Sequence, residues 1–81
     1  MNNNNIEDRI RSVMSAVFEV PVEEINEESS TDTIKSWDSL KHMSLIFAFE
    51  EEFETEFTEN EIIMMLNYAL IKSAIIARQT N

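Results

Sequence analysis

Ser39 is the hydroxyl-bearing residue of this sequence best placed to carry chemistry, because it stands where a polar loop gives way to an apolar run. It follows Trp37 and Asp38, and from Leu40 onward apolar residues recur at helical spacing. The Asp38 side chain can accept a hydrogen bond from the unpaired N–H groups of a starting helix. Those donors and the positive end of the helix dipole favour a phosphate group on the first residue. A phosphate ester on Ser39 would therefore be electrostatically favourable, but the local pattern taken alone favours the alternative, in which Ser39 only caps the helix.

Other chemistries fit this sequence less well. A serine hydrolase needs a base beside its nucleophile, and the only histidine, His42, lies three residues after Ser39 on the same helical face. There is no glycine for a nucleophile elbow or a phosphate-cradling loop, and one histidine without cysteine does not make a zinc site. Glu50 and Glu54 are one turn apart, but a solvated face suits them better than a cation site. We therefore predict neither hydrolysis nor metal binding.

Size and charge limit the function before any motif is considered. A chain of 81 residues forms one domain with little room for a catalytic cavity, so we expect no enzymatic activity of its own. The net charge of −10, from 16 acidic and 6 basic residues, disfavours binding to nucleic acid or to an anionic membrane. Protein partners should instead present basic patches. Because there is no cysteine, the fold needs no oxidising compartment, and we expect a cytoplasmic location.

The helices that position Ser39 can be read from apolar spacing. Residues 1–5 are an asparagine-rich run without the features of a secretory signal, and we expect a disordered tail there, followed by a single domain at 6–79. Apolar residues on one face predict a first helix over Ile6–Glu19, which Asn5 could cap.

A long acidic loop separates this helix from Ser39. Pro21 breaks the helical pattern, and one helical turn after it should direct Ile25 inward. The loop over residues 26–36 is rich in Glu, Ser, Thr and Asp. Its expected anchors are Ile25, Ile34 and Trp37. Trp37 has two possible roles: it packs at the edge of the core, or it lies beside Ser39 and touches what is attached there.

The second helix is predicted over Ser39–Glu54, and its apolar surface wraps more than half of the cylinder. Not all of this surface can be buried. Met43 and Phe47, one and two turns beyond Ser39, are the candidates for an exposed side that faces partners; the alternative is that they belong to the core. The apolar residues concerned are Leu40, Met43, Ile46, Phe47, Phe49 and Phe53.

Two capping signals predict that the C-terminal part forms two helices. Thr58 and Glu61 have the spacing of a capping box, which predicts a short helix after them. Asn67 offers a second cap, for a last helix that ends near Arg78. A single continuous helix from Glu59 to Arg78 is the alternative.

The segment WDSLKHMSLIFAFEEEF, residues 37–53, resembles the segment around the modified serine of acyl carrier proteins and peptidyl carrier domains. In that family the serine of Asp-Ser-Leu is followed by a helix that ends in a Glu-rich turn and then Phe. The resemblance extends more weakly over the whole chain. It implies an all-α four-helix bundle of acyl-carrier type, with three longer helices, one short helix and a long loop between helices one and two.

The resemblance also implies a cofactor and partners. A phosphopantetheinyl transferase would attach 4′-phosphopantetheine from coenzyme A to Ser39, beside the cap Asp38 and with Trp37 as a possible contact of the arm. The monomeric protein would carry acyl or aminoacyl groups as thioesters to acyl-loading and acyl-transfer enzymes with basic docking patches. The residues expected to bind partners are Leu40, Met43, Phe47, Glu50 and Glu51.

Some residues depart from the family pattern. Members that serve fatty-acid synthesis typically carry acidic residues early in the second helix, where this chain has Lys41, His42 and Ser44. Trp37 replaces a smaller residue, and Ser36 stands where glycine is usual. These differences favour a specialised carrier for a lipid, polyketide or related pathway. The competing interpretation is an unmodified helical module that only docks a partner.

Overall fold

The computed structural model describes residues 3–79, with side chains from residue 6 onward, and this part of the chain contains helices and no strand. A single 3-10 turn, η1, covers Val22–Glu24 between the first two α-helices. Three longer helices and one short helix confirm the predicted all-α class. The α-helices are α1 (Asn3–Phe18), α2 (Ser39–Phe53), α3 (Glu59–Met64) and α4 (Tyr68–Gln79).

The first helix begins earlier than its apolar spacing predicts. α1 starts at Asn3, so residues 3–5 of the predicted tail are helical, while residues 1 and 2 lie outside the described part of the chain. The helix ends at Phe18, because Glu19 adopts a left-handed conformation with φ 59°. No helix in the described residues is both long and apolar enough to cross a membrane.

The core lies where α1, α2 and α4 meet. Apolar residues spaced by three or four positions form one buried stripe on each helix, which is the pattern expected of amphipathic helices. Burial of each large apolar side chain contributes about 1.5–3 kcal/mol before entropy costs. The buried stripes are Ile10, Met14 and Phe18 on α1, Leu45, Ile46, Phe49 and Phe53 on α2, and Tyr68, Ile71 and Ile75 on α4.

The long loop is anchored as predicted, since Ile25, Ile34 and Trp37 are all buried in this core. Backbone hydrogen bonds tie the loop to the start of α4: the Tyr68 N–H donates to the Ser29 carbonyl at 2.9 Å. The loop is therefore held against the helices, and this fixes the position of Ser39 at its end.

Capping side chains define the two C-terminal helices. Thr58 accepts a hydrogen bond from the Glu61 N–H, and the Glu61 carboxylate accepts one from the Thr58 N–H at 2.8 Å, which confirms the capping box. The Asn67 side chain accepts from the Leu70 N–H at 2.8 Å. Because α3 ends at Met64 and α4 begins at Tyr68, the predicted break is confirmed and the continuous helix is wrong.

Buried Tyr68 joins α4 to α1. Its hydroxyl accepts a hydrogen bond from the Arg11 guanidinium at 3.2 Å and donates one to the Glu7 carboxylate at 3.3 Å. Lys72, one turn later, pairs with the same carboxylate at 3.3 Å. Burial, more than any neighbouring charge, raises the pKa of the Tyr68 hydroxyl. This polar group therefore lies in the core with its hydrogen bonds satisfied.

The capping carboxylate of Glu61 should make stability depend on pH. The hydrogen bond from the Thr58 N–H, assisted by the Arg78 guanidinium, holds the pKa of Glu61 below its usual 4.5. A lowered pKa means that the carboxylate stabilises the fold above about pH 4.5, and that this contribution is lost as the pH falls through the folded-state pKa. We expect Glu61→Gln, which keeps a capping-box acceptor, to lower the free energy of unfolding at neutral pH by about 0.5 kcal/mol.

Urea unfolding of both proteins from neutral pH down to about pH 3 measures this difference, which should vanish at the acidic end. The matched control is Glu56→Gln, since Glu56 is exposed and no hydrogen bond or ion pair is described for its side chain. A Glu61→Gln deficit that stays constant with pH would contradict the assignment.

Candidate functional site

Ser39 is the first residue of α2, and its side chain is exposed. The residue before it is the helix cap: the Asp38 carboxylate accepts a hydrogen bond from the Lys41 N–H at 2.9 Å. The Asp38 carbonyl accepts the first intrahelical bond, from the His42 N–H at 2.8 Å. The predicted start of the helix and its predicted cap are both confirmed. The Ser39 hydroxyl is thus left to solvent.

Two backbone donors accompany this hydroxyl. In the described part of the chain, no hydrogen bond engages the N–H groups of Ser39 and Leu40, as is usual in a first helical turn. Both lie at the positive end of the α2 dipole. This helix start is therefore electrostatically favourable for a phosphate group on the Ser39 oxygen.

Trp37 is a structural residue whose polar edge reaches the site. Only 5% of its surface is exposed, and its ring centroid lies 4.8 Å from that of Phe18 at the end of α1. Its indole N–H donates a hydrogen bond to the His42 Nδ1 at 3.0 Å. Of the two roles predicted for Trp37, these contacts favour packing in the core over contact with a group attached to Ser39.

His42 bridges two helices through both of its ring nitrogens. Nδ1 accepts the hydrogen bond from Trp37, so the proton of the neutral ring is on Nε2, which donates to the Ile62 carbonyl of α3 at 2.8 Å. Both nitrogens are therefore engaged away from Ser39, and the imidazole cannot act as its base. Sequence reasoning did not identify this bridge, because Ile62 is twenty residues distant along the chain.

Lys41 also turns away from the site. Its ammonium group donates to the Val17 carbonyl in the last turn of α1 at 3.2 Å and lies 3.9 Å from the Glu19 carboxylate. A positive charge at the negative end of α1 is favourable. The basic residues that depart from the family pattern therefore have roles within the fold.

An open groove of about 460 Å³ adjoins Ser39. It is mostly apolar, and sequence reasoning missed two of its members, Thr31 and Leu66, because they come from the loop and from the connection between α3 and α4. A backbone hydrogen bond between them, at 3.3 Å, brings these segments together. The groove is lined by Thr31, Trp37, Asp38, Ser39, His42, Met43 and Leu66.

The apolar candidates for partner binding are exposed. Leu40 is 79% exposed, Phe47 61% and Met43 37%, so the alternative in which Phe47 belongs to the core is wrong. Leu40 and Phe47 are seven residues apart and share the side of α2 that faces away from the core. Met43 borders the groove instead. Binding through these residues remains a prediction.

The two acidic candidates differ from each other. Glu51 is exposed, one turn beyond Phe47 on the outward side of α2. The Glu50 carboxylate instead accepts a hydrogen bond from the Phe57 N–H at 3.0 Å, which fixes the connection between α2 and α3. Glu50 therefore has a structural role in addition to any contact with a partner. Among residues 3–79 there is no cluster of His, Asp and Glu suited to a metal ion.

No family model matches the chain, but the known proteins that it resembles include two acyl carrier proteins. The chain is 36% identical over 58 residues to the acyl carrier protein of Buchnera aphidicola subsp. Schizaphis graminum, covering 72% of this chain and 73% of that protein. It is 33% identical over 60 residues to acyl carrier protein 3 of Ralstonia nicotianae, covering 74% and 69% respectively.

The His42 bridge should contribute measurably to stability. His42→Ala removes the partner of the buried Trp37 N–H and a donor to the Ile62 carbonyl, and we expect the free energy of unfolding to fall by about 1–3 kcal/mol. Urea unfolding followed by circular dichroism measures this change. Ser44→Ala, at an exposed position of the same helix, is the control and should change stability little. Equal stability of the two variants would show that the bridge contributes nothing.

Proposed function

Because this chain belongs to the acyl carrier protein family, we propose that it carries acyl or aminoacyl groups on a 4′-phosphopantetheine arm attached to the Ser39 hydroxyl. The family consists of carriers rather than enzymes, and its members bear a phosphopantetheine group. The observation that carries the assignment to Ser39 is its exposed hydroxyl at the first residue of α2.

The surroundings of Ser39 fit a phosphate ester. The free N–H groups of Ser39 and Leu40 can face its oxygens, while the Asp38 carboxylate is engaged by the Lys41 N–H. The adjoining groove offers apolar surface to the first part of an arm. When bound, the arm supplies a terminal thiol that holds an acyl group as a thioester.

Attachment requires an external enzyme. A bond forms between the Ser39 oxygen and phosphorus, the pyrophosphate bond of coenzyme A breaks, and an adenosine bisphosphate leaves. The hydroxyl proton needs an acceptor, and both nitrogens of His42 are engaged in hydrogen bonds. His42 is therefore not that acceptor, and we propose that the phosphopantetheinyl transferase supplies the base.

The work of the protein is delivery to acyl-handling enzymes. A flexible arm on a small body raises the effective concentration of its cargo at a partner's active site. The net charge of −10 attracts partners with basic patches and speeds their encounter. Affinity can then stay low enough for release.

Modification of Ser39 can be tested directly. We expect incubation with coenzyme A and a broad-specificity phosphopantetheinyl transferase to give a single covalent adduct, measured by mass spectrometry of the intact protein. Ser39→Ala should abolish the adduct. Ser73→Ala is the matched control, because Ser73 is an exposed serine on α4, and it should leave the adduct unchanged.

An adduct on the Ser39→Ala variant would move the site to another residue. If the wild-type protein gives no adduct, the function reverts to the competing one, an unmodified module that docks partners through the exposed residues of α2.

We further propose that the protein serves a specialised lipid, polyketide or related pathway. Support comes from the start of α2, where Lys41 and His42 are committed to contacts with α1 and α3, and no acidic residue occupies the first turn. We expect the acyl-loading enzyme of general fatty-acid synthesis to use the modified protein with kcat/KM at least about tenfold below that for the housekeeping carrier, a difference of about 1.4 kcal/mol. Comparable loading and elongation would refute the specialised role.

A further inference from the structure

Two rings form part of the lining of the groove beside Ser39, and we call the Trp37 indole and the His42 imidazole the ring floor. Their centroids lie 6.2 Å apart in a stacked arrangement. One hydrogen bond joins the two rings, from the indole N–H to the His42 Nδ1, and a second fastens the imidazole to the Ile62 carbonyl of α3. The ring floor therefore connects the loop, α2 and α3 at the base of the groove.

The groove stays at the surface of the bundle. Of the seven described residues that line it, only Trp37 belongs to the buried core. The inward side of α2 is closed to solvent, since Leu45, Ile46 and Phe49 are completely buried. Protein interiors are packed as densely as crystals of small organic molecules. A chain that entered the core from the groove would therefore have to displace side chains.

Passage between the loop, α2 and α3 would also part the ring floor. Both hydrogen bonds of His42 would break, leaving the buried Trp37 N–H and the Ile62 carbonyl without their partner. Leaving two such groups unpaired costs more free energy than the burial of a few methylene groups returns. A longer alkyl chain would gain more from burial, but it needs more volume, and overpacking a filled core is destabilising.

We propose that this carrier takes small acyl or aminoacyl groups, and that the ring floor keeps longer alkyl chains out of the core. This inference rests on the proposed function, because it concerns the group at the end of the arm on Ser39. An alkyl chain without a buried site stays in contact with water, which is more unfavourable the longer the chain is. A small or polar cargo has little apolar surface and does not need a buried site.

The test loads the full chain with cargo of two lengths. A broad-specificity phosphopantetheinyl transferase transfers the arm to Ser39 from coenzyme A, acetyl-coenzyme A or octanoyl-coenzyme A, and mass spectrometry of the intact protein verifies each product. We expect the acetyl and octanoyl forms to melt within about 1 °C of each other by circular dichroism, because the octanoyl chain is not buried. The nuclear magnetic resonance signal of the buried Met65 methyl group should be the same in both forms.

Variants of the ring floor should reverse this result. His42→Ala removes one ring and both hydrogen bonds, and we expect its octanoyl form to melt at least about 4 °C above its acetyl form, with a shifted Met65 signal. Because His42→Ala also lowers stability, Trp37→Phe is the second variant: it keeps an aromatic ring but loses the indole N–H, and the same difference should be smaller. Ser44→Ala, at an exposed position on α2, is the matched control and should behave as the wild type.

Two results would overturn the inference. One is a wild-type octanoyl form that melts well above the acetyl form and shifts the Met65 signal, because the alkyl chain would then lie in the core. The other is equal melting of the acetyl and octanoyl forms in both ring-floor variants, since the floor would then not be the barrier. In either case an adduct on Ser39 would leave the proposed function standing. If coenzyme A itself gives no adduct, the proposed function fails, and this inference fails with it.

Discussion

The arrangement around Ser39 depends on hydrogen bonds that the first turn of α2 gives to the ends of two other helices. The last carbonyl groups of any helix lack partners within it. Lys41 donates to the Val17 carbonyl near the end of α1, and His42 donates to the Ile62 carbonyl near the end of α3. A net hydrogen bond contributes only about 0.5–1.5 kcal/mol, but a buried carbonyl without a partner costs about 1–3 kcal/mol. The position of the first turn of α2 is therefore fixed on both sides.

This arrangement separates the Ser39 hydroxyl, the proposed site of modification, from the side chains that could activate it. The Asp38 carboxylate and the His42 imidazole, which together with a serine could suggest a hydrolase, both have partners in the fold. Trp37 is central here because of one hydrogen bond, from its indole N–H to the His42 Nδ1. This bond gives the buried indole donor a partner and also sets the tautomer of His42. A carrier benefits from such isolation, because a free general base near the arm could activate water to hydrolyse the thioester that the arm carries.

Local signals made the ends of the helices predictable from sequence. Asp38, Thr58 and Asn67 each cap a helix through a side chain that bonds a backbone group three residues later, and such pairs are visible in the sequence. The anchors Ile25 and Ile34 were predictable because an isolated apolar residue in an acidic loop is most stable when it is buried in the core.

Long-range contacts were not predictable in the same way. The bond between His42 and Ile62 spans twenty residues, the one between Lys41 and Val17 spans twenty-four, and neither leaves a periodic pattern. Glu50 belonged to a run of glutamates that resembled a solvated face, yet its carboxylate bonds the Phe57 N–H. Partner choice among equivalent side chains is decided by tertiary packing, which one sequence does not display.

Electrostatic attraction and apolar contact act over different distances, which explains how an acidic protein can present a neutral face beside Ser39. At physiological ionic strength, the interaction between exposed charges is largely screened beyond about 8 Å, so the net charge acts mainly on approach and orientation. Contact itself removes water from both surfaces. The desolvation of an unpaired charge in such a contact is unfavourable and would weaken binding. Leu40 and Phe47 carry no charge, so their burial has no such desolvation penalty. An acidic residue at either position would need a cationic group placed opposite it on every enzyme. On the proposed function the protein binds and leaves several enzymes in turn, and apolar side chains that fit pockets of varied shape suit this task better than fixed charges do.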